Sequence, residues 1–187
     1  EPRGEPRPWP QFRGPGASGI GDGQGVPPVW DVAKRVNVRF KTPIPGIALS
    51  SPIVCGNRIY VTTAVGSSGD KTFRTGLYGD GTSVDDLSRH SFRLFALDAG
   101  SGTILWEREV HQGAPTVRRD LKSSLSNATP ATDGQRLTLG DTTQTRRGVL
   151  VAGVNSDFEA VARFAQWGLA SWAINPVRSG APFLQAA

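Results

Sequence analysis

Methionine is missing altogether from the 187 residues, cysteine occurs once, and histidine and tyrosine occur twice each. A lone Cys55 excludes an internal disulfide framework and any metal site built from several cysteines. Without a Met, residue 1 is not expected to be the translation start, and a trimmed N-terminus is the expectation. No apolar run approaches the roughly 18 residues that a membrane-spanning helix needs, so no such span is expected. Hydrophobic residues at 37% and charged residues at 20% are both sparse for a globular chain. Their place is taken by 23 Gly and 14 Pro, punctuation that suits many short strands better than long helices.

The charge is +5, with an isoelectric point near 10.0. Only Arg118-Arg119 and Arg146-Arg147 stand side by side, with no aromatic residues among them, which argues against nucleic acid as a partner. Residues 1–8 alternate Pro with charge and read as an extended leader, since Pro fixes φ and removes a donor. The glycines from Gly19 to Gly25 lack the spacing of a phosphate loop, and Pro27-Pro28 stands where its helix would begin. Residues 1–35 are therefore a Pro/Gly-rich leader.

From residue 36 the pattern changes. Val38-Arg39-Phe40-Lys41 alternates apolar and polar, predicting a half-buried strand. Residues 51–55 and 58–63 predict a hairpin about Gly56-Asn57, rich in β-branched residues. Residues 66–91 are polar and form an insertion. Its Asp80, Asp85 and Asp86 lack the alternating oxygen spacing of a calcium loop. Residues 92–97 and 103–110 predict two further strands about the turn 98–102. Together these four strands predict one antiparallel meander in sequence order.

A repeat supports that organisation. Ser51-Pro52-Ile53-Val54-Cys55-Gly56-Asn57-Arg58-Ile59-Tyr60-Val61 is echoed by Thr129-Pro130-Ala131-Thr132-Asp133-Gly134-Gln135-Arg136-Leu137-Thr138-Leu139. Phe40-Lys41-Thr42 more faintly echoes Trp106-Glu107-Arg108. Strand-only units recurring in this way indicate a radial array. Their spacing exceeds the usual blade period of about 40–50 residues, and the insertion accounts for much of the surplus.

The stretch Ala96-Leu97-Asp98-Ala99-Gly100-Ser101-Gly102-Thr103-Ile104-Leu105-Trp106 resembles the tryptophan-docking motif of the quinoprotein-type, or PQQ-like, β-propeller repeat family, with Ser101 at the place of its Thr. Trp9-Pro10-Gln11-Phe12-Arg13-Gly14-Pro15 resembles the opening of secreted bacterial members. The resemblance implies an all-β fold, here a partial β-propeller with one full four-stranded blade over 50–110 and partial neighbours within 36–139. It implies structural roles for Ala96, Asp98, Ser101, Gly102 and Trp106, and a periplasmic or secreted location. It also implies a binding or assembly scaffold whose partner is a protein or small ligand at the propeller face.

An active quinone-dependent dehydrogenase of this type would need pyrroloquinoline quinone, calcium, a general-base Asp and, in its familiar members, adjacent cysteines. One Cys excludes the pair and no base-and-calcium set is recognisable, so neither cofactor is expected. The alternative is a degenerate or truncated enzyme of that class. His90 and His111 have no nucleophile elbow to serve and read as surface or turn residues. Cys55, within a strand, reads as a small buried hydrophobe.

After residue 139 no further docking turn follows. Residues 140–187 are expected to be either foreign to the fold or a helical or disordered tail, with residues 158–172 at helical spacing and Pro176, Gly180 and Pro182 breaking the end.

Overall fold

The computed structural model describes residues 8–23, 25–69, 71–74, 83–116 and 118–140, and the backbone of three later strands. The fold is all-β, and no α-helix occurs among the described residues. The first sheet is formed by β1 (Ile53–Cys55), β2 (Arg58–Gly66), β4 (His90–Asp98) and β5 (Ile104–Gly113), antiparallel and in that spatial order. This is the predicted meander. Between β2 and β4 lies the two-residue strand β3 (Ser83–Val84), which pairs outside this sheet with β6 (Arg119–Asp120).

Registration aligns one row of side chains across all four strands: Ile53, Tyr60, Ala96 and Trp106. Side chains alternate between faces along a strand, so Ile59 and Val61 lie opposite this row. In β4 the consecutive residues Leu94, Phe95, Ala96 and Leu97 are all buried, so both faces of the sheet are covered. Two irregularities in the β4–β5 pairing leave Leu105 and Val110 as extra residues on β5. Each shifts the alternation by one position, and Val110 thereby joins the core. The outer strand β5 carries Glu107, Arg108 and Glu109, charges that discourage edge-to-edge pairing. The Arg93 guanidinium meets Glu107 at 2.7 Å across its inner edge.

A second sheet contains β7 (Ala131–Thr132), β8 (Arg136–Gly140) and β9 (Val149–Gly153). Its Leu137 and Leu139 pack with Ile53, Tyr60, Leu94, Ala96 and Val110 of the first sheet, with Cys55, Phe92 and Trp106 at the margin. Within the repeat, Leu137 and Leu139 stand where Ile59 and Val61 stand in the first hairpin. The second sheet therefore offers the face corresponding to Ile59 and Val61, and the first sheet receives it on its Tyr60 face. The two copies also meet directly, for the Ser51 amide donates to Thr129 Oγ1 at 2.9 Å. Both hairpins turn on a glycine of positive φ, Gly56 and Gly134. Trp9 exchanges backbone hydrogen bonds with Val54, and the Pro10 carbonyl accepts from the Thr132 amide, so the leader bonds both sheets.

Two expectations are corrected. Residues 38–41 form no ladder, although Val38, Phe40 and Thr42 are half-buried and the residues between them exposed. The alternation reported the faces, but among the described residues no strand lies alongside to pair. In the tail, Val149–Gly153 adds a third strand to the second sheet beyond residue 139, in register with Arg136 through Gly140. A run rich in β-branched residues met the open edge of β8. Trp172 opens strand β10 (Trp172–Ile174), paired with β11 (Leu184–Ala186), rather than closing a helix. The rest of the expected helix lies outside the described residues.

The seam between the sheets is the part most sensitive to lost volume. Leu137 is fully buried, and Leu137→Ala is expected to cost about 2–5 kcal/mol. Urea unfolding of both chains checks this, and a loss below about 1 kcal/mol would mean that the sheets do not share a core.

Candidate functional site

The residues singled out by sequence come together at the β4–β5 turn. Asp98 Oδ1 accepts from the Gly100 amide at 3.0 Å, the Ser101 amide at 2.8 Å and the Ser101 hydroxyl at 2.9 Å. Its other oxygen accepts from Asn57 Nδ2 at 2.6 Å, joining this turn to the β1–β2 turn. The Ser101 amide and hydroxyl, helped by Gly100 and Asn57, hold the Asp98 carboxyl below its ordinary range. Ser101 Oγ also accepts from the Thr103 amide at 3.2 Å, so the hydroxyl at this position closes the turn.

Gly102 takes φ +74, and a Cβ placed there would run into the Phe40 ring. The aromatic therefore rests on bare backbone. Thr42 Oγ1 donates to the Gly102 carbonyl at 2.6 Å, fixing the same segment over the turn. Phe40 is the residue that echoes Trp106. Ala96 is fully buried beside Trp106, where a larger side chain would intrude into the core row. Trp106 itself is half-buried, its ring centroid 6.0 Å from that of Tyr60, with the Arg108 guanidinium 5.8 Å over its face. Its Nε1 is buried with no acceptor among the described residues.

A different set of residues lines a cleft of about 110 Å³: Pro45, Ile47, Lys71, His90, Arg119 and Leu125, with Ala64, Val65 and Gly66. His90 is the first residue of β4 and is 5% exposed, which corrects the expectation of a surface or turn histidine. The Ser88 carbonyl can only accept, so the 2.7 Å contact assigns the hydrogen to Nδ1. Nε2 lies 3.7 Å from Asp86 Oδ2. Gly66 is the register partner of His90, and a Cβ on it would lie 2.8 Å from Nε2, so glycine makes room for the imidazole. Burial pushes the Asp86 carboxyl up, but hydrogen bonds from Ser88 and Ser68, together with His90, bring it below the ordinary range. Ser68 Oγ donates to Asp86 at 2.8 Å. The bond helps to hold the charge on Asp86.

Arg119 is buried, and its guanidinium donates to the Thr72 carbonyl at 2.6 Å and the Ser123 carbonyl at 3.2 Å. The neighbouring segment is anchored by hydroxyls: Ser126 Oγ donates to Thr62 Oγ1, and Ser50 shares a 2.8 Å contact with that same oxygen. Asp85 and Asp86 diverge, Asp85 to Arg118 at 3.1 Å and Asp86 to His90. Asp80 lies outside the described residues. Cys55 ends β1 half-buried against the core, and His111 stacks on Phe92 at 5.6 Å.

No family model, curated protein or solved structure matches this chain.

The cleft was missed by sequence reasoning because its lining comes from separate stretches with no spacing in common. The one readable signal is a small residue, Gly66, ending a strand rich in β-branched residues.

Two measurements check the turn. Gly102→Ala is expected to cost at least about 1–2 kcal/mol for the left-handed backbone alone. Adding Phe40→Ala should give a loss smaller than the sum of the single variants, because the two residues touch. For Asp98 the folded carboxyl is depressed, so its contribution is present above the ordinary carboxylate range and is lost as pH falls through the lowered value. Asp98→Ala should thus be less stable than the parent at pH 7. Melting curves should show the gap narrowing below about pH 4.

Proposed function

We propose that the chain is a non-catalytic repeat protein of the quinoprotein-type β-propeller class, serving as a binding or assembly scaffold. The observation that carries this reading is the direction of packing. The Leu137 face of one repeat lies on the Tyr60 face of the one before it, and Phe40, the residue matching Trp106, lies on the glycine of the turn that follows. Both contacts run head to tail, and units joined head to tail by a rotation form a ring or an open array rather than a closed pair. Propellers are such rings, with roughly 4–8 four-stranded blades.

On this reading, Trp106 stands to the turn of the next repeat as Phe40 stands to Gly102. The buried Nε1 of Trp106 would find its acceptor there. The residues of the docking turn are structural, and binding falls to surfaces between and at the ends of the sheets. A periplasmic or secreted location accompanies this proposal through the resemblance alone.

Titrating the chain with pyrroloquinoline quinone, with and without calcium, tests the non-catalytic reading. No saturable change in tryptophan fluorescence is expected in either series. Calcium-dependent, saturable quenching accompanied by dye-linked alcohol oxidation would replace it with a quinone-dependent enzyme.

A further inference from the structure

We propose that the cleft between the end of β2, the start of β4 and residues 119–125 binds a small organic carboxylate. Arg119 and Lys71 would hold the charged end, and Pro45, Ile47 and Leu125 would pack on the aliphatic body. This deepens the binding role proposed above, and it rests on that reading only for the use of the cleft.

The starting point is a buried charge. Arg119 is 7% exposed, its two contacts are both to carbonyls, and no carboxylate pairs with it among the described residues. Burying a guanidinium without a counter-ion is costly. Among the described residues, the neighbouring acids are committed elsewhere. Asp86 takes Ser68, Ser88 and His90, Asp85 takes Arg118, and Asp120 accepts from the Lys122 amide. The two carbonyl bonds occupy two of the five N–H groups and fix the plane of the fork, leaving three donors. A fork held in this way suits a planar carboxylate.

Lys71 adds the second cation. The bond from Arg119 to the Thr72 carbonyl holds residue 71 beside the guanidinium, and the Arg74 amide bonds the Leu121 carbonyl to secure the same crossing. Lys71 is exposed and lines the cleft, with no partner among the described residues. The remaining walls decide the class of anion. Pro45, Ile47, Ala64, Val65 and Leu125 offer apolar surface, which a hydrated inorganic ion cannot use and a short aliphatic chain can. At about 110 Å³ the cleft has several times the room that one water needs.

The test uses the full chain with butyrate, its neutral analogue butyramide, and inorganic phosphate, read by isothermal calorimetry. Butyrate should bind saturably, and butyramide and phosphate should bind at least ten-fold more weakly. Because Arg119 also supports two carbonyls, its variants can fail to fold, so the decisive variant is Lys71→Gln. This exposed change should leave the melting temperature unaltered and weaken butyrate about five-fold, the scale of one solvent-screened ion contact. Binding of butyramide or phosphate equal to that of butyrate, or an unchanged affinity in Lys71→Gln, would overturn the assignment. A chain that keeps its β-sheet circular dichroism but ignores butyrate also overturns it, while leaving the quinone titration and the repeat reading untouched.

Discussion

Leu137 and Leu139 reach across from the second sheet to cover Ile53, Tyr60, Leu94 and Ala96, and this seam fixes where everything else lies. A single antiparallel sheet with apolar residues on both faces cannot be stable in water. It must be covered twice, and β4, with four consecutive buried residues, shows that both coverings are in place. One covering is the second sheet. On the other face, Thr63 Oγ1 donates to the Pro45 carbonyl and Phe40 lies on the β4–β5 turn, so the segment before β1 contributes the other. The first sheet is thus covered by the second sheet on one face and by the segment before β1 on the other.

The turn at Asp98 makes that stacking specific. Hydrophobic seams slide readily, because apolar area has no direction. Gly102 supplies a flat spot that admits an aromatic ring and nothing bulkier on its own backbone, and Asp98 stiffens the turn through four donors. Asn57 carries the same carboxylate into the β1–β2 turn, so the two turns at that end of the sheet move together. Ring position, turn geometry and strand register then agree, and agreement across levels is what singles out one arrangement.

Much of this was legible in the sequence where the chemistry is local. Asp98, Ser101 and Gly102 announce a turn because each residue type has one job there: accept, cap, and adopt positive φ. The strands of the first sheet were legible because β-branched residues cluster between Gly and Asp signals. Where the answer depended on a partner, sequence reading fell short. Residues 38–41 carry the alternation of a strand, but a ladder needs a neighbour and the alternation only needs two environments. Val149–Gly153 was passed over because nothing in its own residues says that β8 presents an open edge to it. The cleft was invisible for a related reason. His90 and Gly66 are distant in sequence and become neighbours only through the β2–β4 register, while Arg119 arrives from beyond β5.

The buried Arg119 of the cleft brings these threads together. Arg119 pairs next to Val84 through the short β3–β6 ladder and donates into residues 72 and 123, so it fastens the long β2–β4 connection to the segment after β5. A neutral donor could have made those two bonds without the penalty of a buried charge. Lysine could have supplied the charge but not two bonds in one plane. What guanidinium adds over either is a fixed fork with donors to spare, on a residue that lines the same cleft as Pro45, Ile47 and Leu125. Placing that fork where two crossing segments meet gives the structure a brace, and it puts Arg119 in the lining of the cleft.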